Sequence, residues 1–184
     1  PGILFAGMTL PAVAGFLPIM IGAALVKQHR GIYVGYGALL TLGMVGFWHL
    51  ALNFGSFGIA ILAAVVILSD IGGYIAGRMI GGAKFWPSIS PKKTWSGTIA
   101  GWVLVAGLGF VLMQYSGAAW MVPVAVAVAF GAQMGDIAES WVKRRVSVKD
   151  SSQLIPGHGG FLDRFDGFIG GAAVLGIITA LFLN

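Results

Sequence analysis

Charged side chains interrupt this chain in only a few places. Residues 1–26, 31–69, 94–135 and 167–184 contain no Asp, Glu, Lys or Arg. A helix that crosses the hydrocarbon core of a bilayer needs about 20 apolar residues. The first and last runs therefore hold one such helix each, and the two middle runs hold two apiece. The pattern predicts spans near 3–26, 32–50, 57–80, 97–115, 119–142 and 165–183, the third continuing past Asp70 towards Arg78. No run alternates apolar and polar residues, which argues against a transmembrane β-barrel. Pro11 and Pro18 are expected to kink or divide the first span. The expected fold is all-α, a polytopic membrane helix bundle of about six transmembrane helices.

Composition agrees with this. Of 184 residues, 58% are hydrophobic and 9% charged, where an ordinary soluble domain carries about 25% charge. Disorder needs low hydrophobicity and high charge. A disulfide scaffold, a zinc ribbon and a thiol enzyme need cysteine, and there is none. The 30 glycines form no clear repeat; in membrane helices small residues let backbones pack closely. The 11 Lys and Arg residues fall at 27–30, 78–93, 143–149 and 164. With six spans all four places lie on one side, while the connections near 51–56 and 116–118 carry none. Positive loops face the cytoplasm, so both termini are expected outside. The net charge of +5 is then a topological signal, and nucleic-acid binding is not needed to explain it. The chain opens on Pro1 with no basic segment before the first apolar run, so upstream residues are expected to be missing.

The six acids carry the chemistry. Asp70, Asp136 and Glu139 fall inside predicted spans, whereas Asp150, Asp163 and Asp166 lie in or beside the last basic loop. An ionisable group in a span is costly and points to function; the alternative is a structural ion pair with Lys or Arg. Asp136 precedes Lys143, and Asp70 precedes Arg78, by about 10 and about 12 Å of helix rise. Both acids thus sit about two turns below the basic surface. Asp136 and Glu139 are spaced i, i+3, Glu139 and Lys143 i, i+4, and Asp70, Tyr74 and Arg78 share one face. A polar cavity open to the cytoplasm follows. Asp163 and Asp166 make a second i, i+3 pair. Oxygen-only ligands suit a hard cation such as Mg²⁺, which uses one or two carboxylates plus phosphates and water. Asp136, Asp163 and Asp166 are the candidate metal ligands. Proton-relay groups of a transporter are the competing reading of the same acids.

The loops favour phosphate. Residues 143–166 combine Lys143, Arg144, Arg145 and Lys149 with Gly157-His158-Gly159-Gly160 ahead of Asp163. Glycines let backbone N–H groups curl around an anion, and a helix N-terminus adds partial positive charge. Together they read as a site for metal-bound polyphosphate. His158 could be a general acid or base, or could orient the loop and donate to a phosphate; the second is favoured. In the earlier loop Ser90, Lys92, Lys93 and Thr94 could bind a phosphate, and Trp86 and Trp95 suit headgroup anchoring. His29 and His49 look incidental. Residues 1–56 are read as N-terminal membrane helices and 57–184 as a catalytic membrane domain with cytoplasmic loops 81–96 and 143–164.

Ser140-Trp-Val-Lys143-Arg144, Lys149-Asp150, Pro156-Gly-His158-Gly-Gly160 and Asp163-Arg164-Phe-Asp166 together resemble the signature of phosphatidate cytidylyltransferases, also called CDP-diacylglycerol synthases. Ser88-Ile-Ser-Pro-Lys-Lys-Thr-Trp95 is similar to that family's basic loop, and Gly135-Asp136-Ile-Ala-Glu139-Ser140 to its acidic stretch. There are two departures: Ser96 where the family often has Glu, and Asp70-Ile-Gly-Gly-Tyr74 where it often reads Asp-Thr-Gly-Ala-Tyr. The resemblance implies transfer of CMP from CTP to phosphatidic acid, giving CDP-diacylglycerol and pyrophosphate, in phospholipid biosynthesis at the bacterial inner (plasma) membrane. It implies Mg²⁺ and a second, monovalent cation such as K⁺. It makes Asp136, Asp163, Asp166, Lys143 and His158 catalytic. Substrate binding then falls to Asp70, Ser90, Lys92, Lys93, Thr94, Glu139, Ser140, Arg144, Lys149, Asp150, Gly159, Gly160 and Arg164. A homodimer is compatible with it, although no residue demands one. A CTP-dependent polyprenol or dolichol kinase and an ion-coupled transporter are the rival readings.

Overall fold

The computed structural model describes residues 15–148, 150–152, 160 and 162–182. The chain forms α1 (Gly15–Leu25), then α2 (Arg30–Met79), β1 (Lys84–Trp86), β2 (Ser90–Thr94), α3 (Trp95–Ser116), α4 (Met121–Arg145) and α5 (Leu162–Phe182). Of these, α2, α3 and α4 are long and apolar enough to cross a membrane. The helical membrane architecture matches the hydropathy reading. Pro18 lies inside α1 without dividing it, and Pro11 lies outside the described residues.

The 50 residues of α2 would make a rod of about 75 Å if straight. Gly55 breaks it, with φ 57° and ψ −147°, a conformation that costs glycine little because it has no Cβ. The neighbours of the two arms show that the chain reverses there. Along the first arm Gly43 meets Ile169 and Gly46 meets Ala172; along the second, Gly171 meets Leu62 and Gly167 meets Val66. One arm therefore runs parallel to α5 and the other antiparallel. The remaining neighbours alternate: Gly22 lies on Tyr33, Gly97 on Gly73, Gly109 on Val122 and Gly131 on Val174. Among the described residues, six helical segments thus run up and down in turn. Residues 26–29, the β hairpin and residues 146–148 gather at one end, which is where the described Lys and Arg residues lie. The opposite end holds Gly55 and the turn at Gly117, whose φ of 73° closes α3.

The all-α expectation fits, and the structure adds one short non-helical element. Within the expected loop 81–96, residues 84–94 form a two-stranded antiparallel hairpin, pairing Lys84 with Thr94 and Trp86 with Ser90. Pro87 and Pro91 deny it a helix, and Pro91 is tolerated because a two-stranded ribbon has only edge strands. The Phe85 and Trp95 rings meet edge-on at 4.6 Å, the Trp95 N–H donates to the Ala83 carbonyl at 3.0 Å, and the Ser96 hydroxyl donates to the Gly81 carbonyl at 2.5 Å. Thr94 then caps α3, its hydroxyl accepting the Gly97 N–H at 3.2 Å.

The core is small-residue packing around Leu62, Val65, Val66, Val105, Val128, Ala129 and Ala172. Large apolar side chains such as Leu17, Met20, Phe57, Val103 and Leu181 point outwards, an apolar surface that water disfavours and lipid accepts. Where helices touch, glycine removes the side chain: a Cβ on Gly46 would strike the Ala172 carbonyl, one on Gly170 the Gly131 carbonyl, and one on Gly135 the Asp166 carbonyl. Overpacking such a contact costs about 1–3 kcal/mol. Gly170→Leu should therefore lower the melting temperature in detergent, whereas Gly107→Ala, at a site with open space around it, should not. Equal melting temperatures for Gly170→Leu and the parent protein would refute the close crossing.

Candidate active site at the charged end of the bundle

A cavity of about 560 Å³ opens between the second arm of α2, the hairpin, α3 and α4. Asp70, Tyr74 and Arg78 enter from α2, Lys92 and Lys93 from β2, and Asp136 from α4. The helical spacing of 70, 74 and 78 puts them on one face, and the Arg78 guanidinium donates to the Tyr74 hydroxyl at 2.9 Å. Asp70 and Asp136, expected to share a cavity, both line this one. Lys93 lies 2.5 Å from the Asp136 carboxylate and also carries charge towards Asp70. The Ser140 hydroxyl donates to Asp136 from one turn on, at 3.3 Å.

Asp136 and Glu139 share α4 but turn apart. Asp136 faces the hairpin, whereas Glu139, 2% exposed, faces α5, where it interacts with Asp163 and Asp166. Lys143 bridges them, with its ammonium 3.4 Å from Glu139 and 2.6 Å from Asp163. Asp166 accepts the Gly167 N–H at 2.7 Å and feels the charges of Asp136 and Lys143. The two halves of the site are thus one electrostatic unit running from Asp70 to Asp163.

Asp163 stands ahead of the span predicted at 165–183 and is the most heavily bonded of the acids. Besides Lys143 it accepts the Ser151 N–H at 2.9 Å, the Ser151 hydroxyl at 2.9 Å and the Gly160 N–H at 2.7 Å. Burial alone would raise its pKa, but Lys143 and these N–H groups outweigh burial and hold the carboxyl below the usual carboxylate range. The anchor therefore persists through neutral and mildly acid pH. Its stabilisation is lost only as the pH falls below the ordinary Asp value of about 4.

Other expected residues fall differently. Ser90 stays in the hairpin pairing. Thr94 lines the cavity while its hydroxyl caps α3. Arg144, Asp150 and Arg164 are exposed, and Gly160 is buried against Ser151 and Ser152. Lys149, His158 and Gly159 lie outside the described residues. Sequence reasoning missed a buried polar chain beneath the cavity. The Trp102 indole N–H donates to the Gln133 carbonyl oxygen at 3.0 Å, and the Gln133 amide donates to Ser69 at 3.0 Å. An amide inside an apolar span was the available signal. Among the described residues no three His, Cys, Asp or Glu side chains converge as a metal site. The oxygen donors nevertheless fit Mg²⁺ in kind, because this ion takes most of its ligands from water and phosphate.

Removing the Asp163 acceptor should loosen the segment it holds. Asp163→Ala should speed tryptic cleavage at Arg144 and Arg145 in protein without added nucleotide. An unchanged cleavage rate would contradict the anchoring role.

The sequence matches the cytidylyltransferase family over residues 4–182. It is 46% identical over 132 residues to the phosphatidate cytidylyltransferase of Brucella suis biovar 1 (strain 1330), covering 70% of this chain and 49% of that protein. To the enzyme of the same name from Helicobacter pylori (strain J99) it is 36% identical, covering 95% of this chain and 71% of the relative. To that from Staphylococcus saprophyticus it is 41% identical over 109 residues, or 57% and 42% of the two chains. The chain thus spans about half the length of the Brucella protein.

Proposed function

Because the chain belongs to the cytidylyltransferase family, we propose that it transfers CMP from CTP to phosphatidic acid, giving CDP-diacylglycerol and pyrophosphate. The observation that carries this reading is the continuous line of Asp70, Lys93, Asp136, Glu139, Lys143, Asp163 and Asp166 at one end of an apolar bundle. A site there meets a water-soluble nucleotide from one side and a lipid from the other.

The lipid phosphate is already an anion near neutral pH, so no proton need be removed before attack. One of its oxygens bonds to the α-phosphorus of CTP. The bond from that phosphorus to the bridging oxygen breaks, and its electron pair leaves with pyrophosphate. The difficulty is bringing two polyanions together, which calls for positioned cations and backbone donors. Lys92, Lys93 and Arg78 receive one substrate's phosphate in the cavity. A phosphate entering it competes with Asp136 for Lys93 and releases that carboxylate. Lys143, Arg144, Lys149, Arg164 and the Gly-His-Gly-Gly sequence at 157–160 take the triphosphate and the departing pyrophosphate. Asp136, Asp163 and Asp166 would hold Mg²⁺, which when bound neutralises charge on the triphosphate. A second, monovalent cation such as K⁺ belongs to the same reading. Six spans would place the basic end in the cytoplasm of a bacterium, at its inner membrane, where phosphatidic acid arrives sideways from the bilayer.

Labelled CTP and phosphatidic acid, supplied with Mg²⁺ to the purified protein in detergent, should yield labelled CDP-diacylglycerol. No product from a folded sample would overturn the proposal. Asp136→Asn and Asp163→Asn should each lower turnover by roughly a hundredfold or more. Parental turnover in either variant would remove that residue from the reaction.

A further inference from the structure

A second cavity, of about 450 Å³, lies on the other side of α4, between α1, the first arm of α2 and the end of α4. Its walls are apolar: Ile19 from α1, Leu40 and Met44 from α2, and Val142 from α4. Thr41 also lines it, but its hydroxyl donates to the Gly37 carbonyl at 3.0 Å, so the group is satisfied within the helix. Polar groups gather at one end only, where Gln28, His29 and Tyr36 join the lining.

That end adjoins the active site. Val142 lines the cavity and its neighbour Lys143 bonds Asp163, so the tip of α4 separates the two spaces. Tyr36 lies in the cavity wall and feels the charges of Glu139, Asp166 and Asp163. The depth is informative as well. From Ile32 to Met44 the lining follows α2 for about 18 Å, close to the half-thickness of a hydrocarbon core of about 30 Å. Met44 is 42% exposed, so the far end of the cavity reaches the outer surface of the bundle.

We propose that this cavity holds an acyl chain of the lipid substrate, its polar end leading the headgroup to the acid cluster, and that Leu40 and Met44 set the chain length accepted. The chemistry required of the occupant is an anionic headgroup with a tail one leaflet deep. The assignment rests on the cytidylyltransferase reading only for the identity of the headgroup.

Two measurements test it. Phosphatidic acid with a photoreactive diazirine near the tip of one tail, irradiated with the purified protein in lipid nanodiscs, should label residues within 15–19 and 37–44. Label confined to other segments, as expected if another helix fills the cavity, would overturn the proposal. Met44→Trp and Leu40→Trp should lower kcat/KM for a long-chain phosphatidic acid by about tenfold relative to a short-chain one, with KM for CTP unchanged. An equal change for both lipids would also overturn it. If no lipid is converted but the label falls in the cavity, the proposed reaction fails and the lipid site stands.

Discussion

The charged end of this bundle depends on the contact between α4 and α5. Gly131 and Gly135 meet Gly170 with no side chain between the backbones. That approach fixes the distance between the acids next to it on each helix, Asp136 and Glu139 after it on α4 and Asp163 and Asp166 before it on α5. Acids held this close in a weakly solvating interior repel one another, and the repulsion needs countercharge. Lys143 supplies it between Glu139 and Asp163, and Lys93 supplies it to Asp136 from outside the bundle.

The hairpin follows from the same need. A cation on a flexible loop would lose much conformational freedom on reaching Asp136. The pairing of β1 with β2, the Phe85–Trp95 contact and the Thr94 cap fix Lys93 on a short, braced ribbon between α2 and α3. Ser96 takes part in that bracing through Gly81. Beneath the cavity the Trp102–Gln133–Ser69 chain ties α3, α4 and α2 together one layer below the acids. Glu139, Asp163 and Asp166 lie towards one end of their helices, whereas Asp70 and Asp136 lie nearer the middle of theirs.

Much of this was legible in the sequence, for physical reasons. Long charge-free runs leave little alternative to helices, so the helical segments from α2 onward fall close to the expected spans, while residues 3–14 of the first expected span lie outside the described residues. Even the reversal near 51–56 was readable, although not that a single glycine would make it. The i, i+4 geometry of Glu139 with Lys143, and the shared face of Asp70, Tyr74 and Arg78, follow from helical spacing alone. The hairpin was not readable, because its pairing depends on Phe85, Trp95 and Ser96 meeting across the chain. Nor was the divergence of Asp136 and Glu139, since an i, i+3 pair can point to one partner or to two flanking ones. The bonding of Asp163 to Ser151 and Gly160 depends on loop closure, which spacing does not encode.

The central claim is that the charged end directs an attack on the α-phosphorus of a nucleoside triphosphate. The most direct measurement compares CTP carrying a radiolabel at the α-phosphorus with CTP labelled at the γ-phosphorus, each incubated with phosphatidic acid, Mg²⁺ and the purified protein. The account predicts that α-label enters the lipid and γ-label leaves in pyrophosphate. Transfer of the γ-label to a lipid would contradict it.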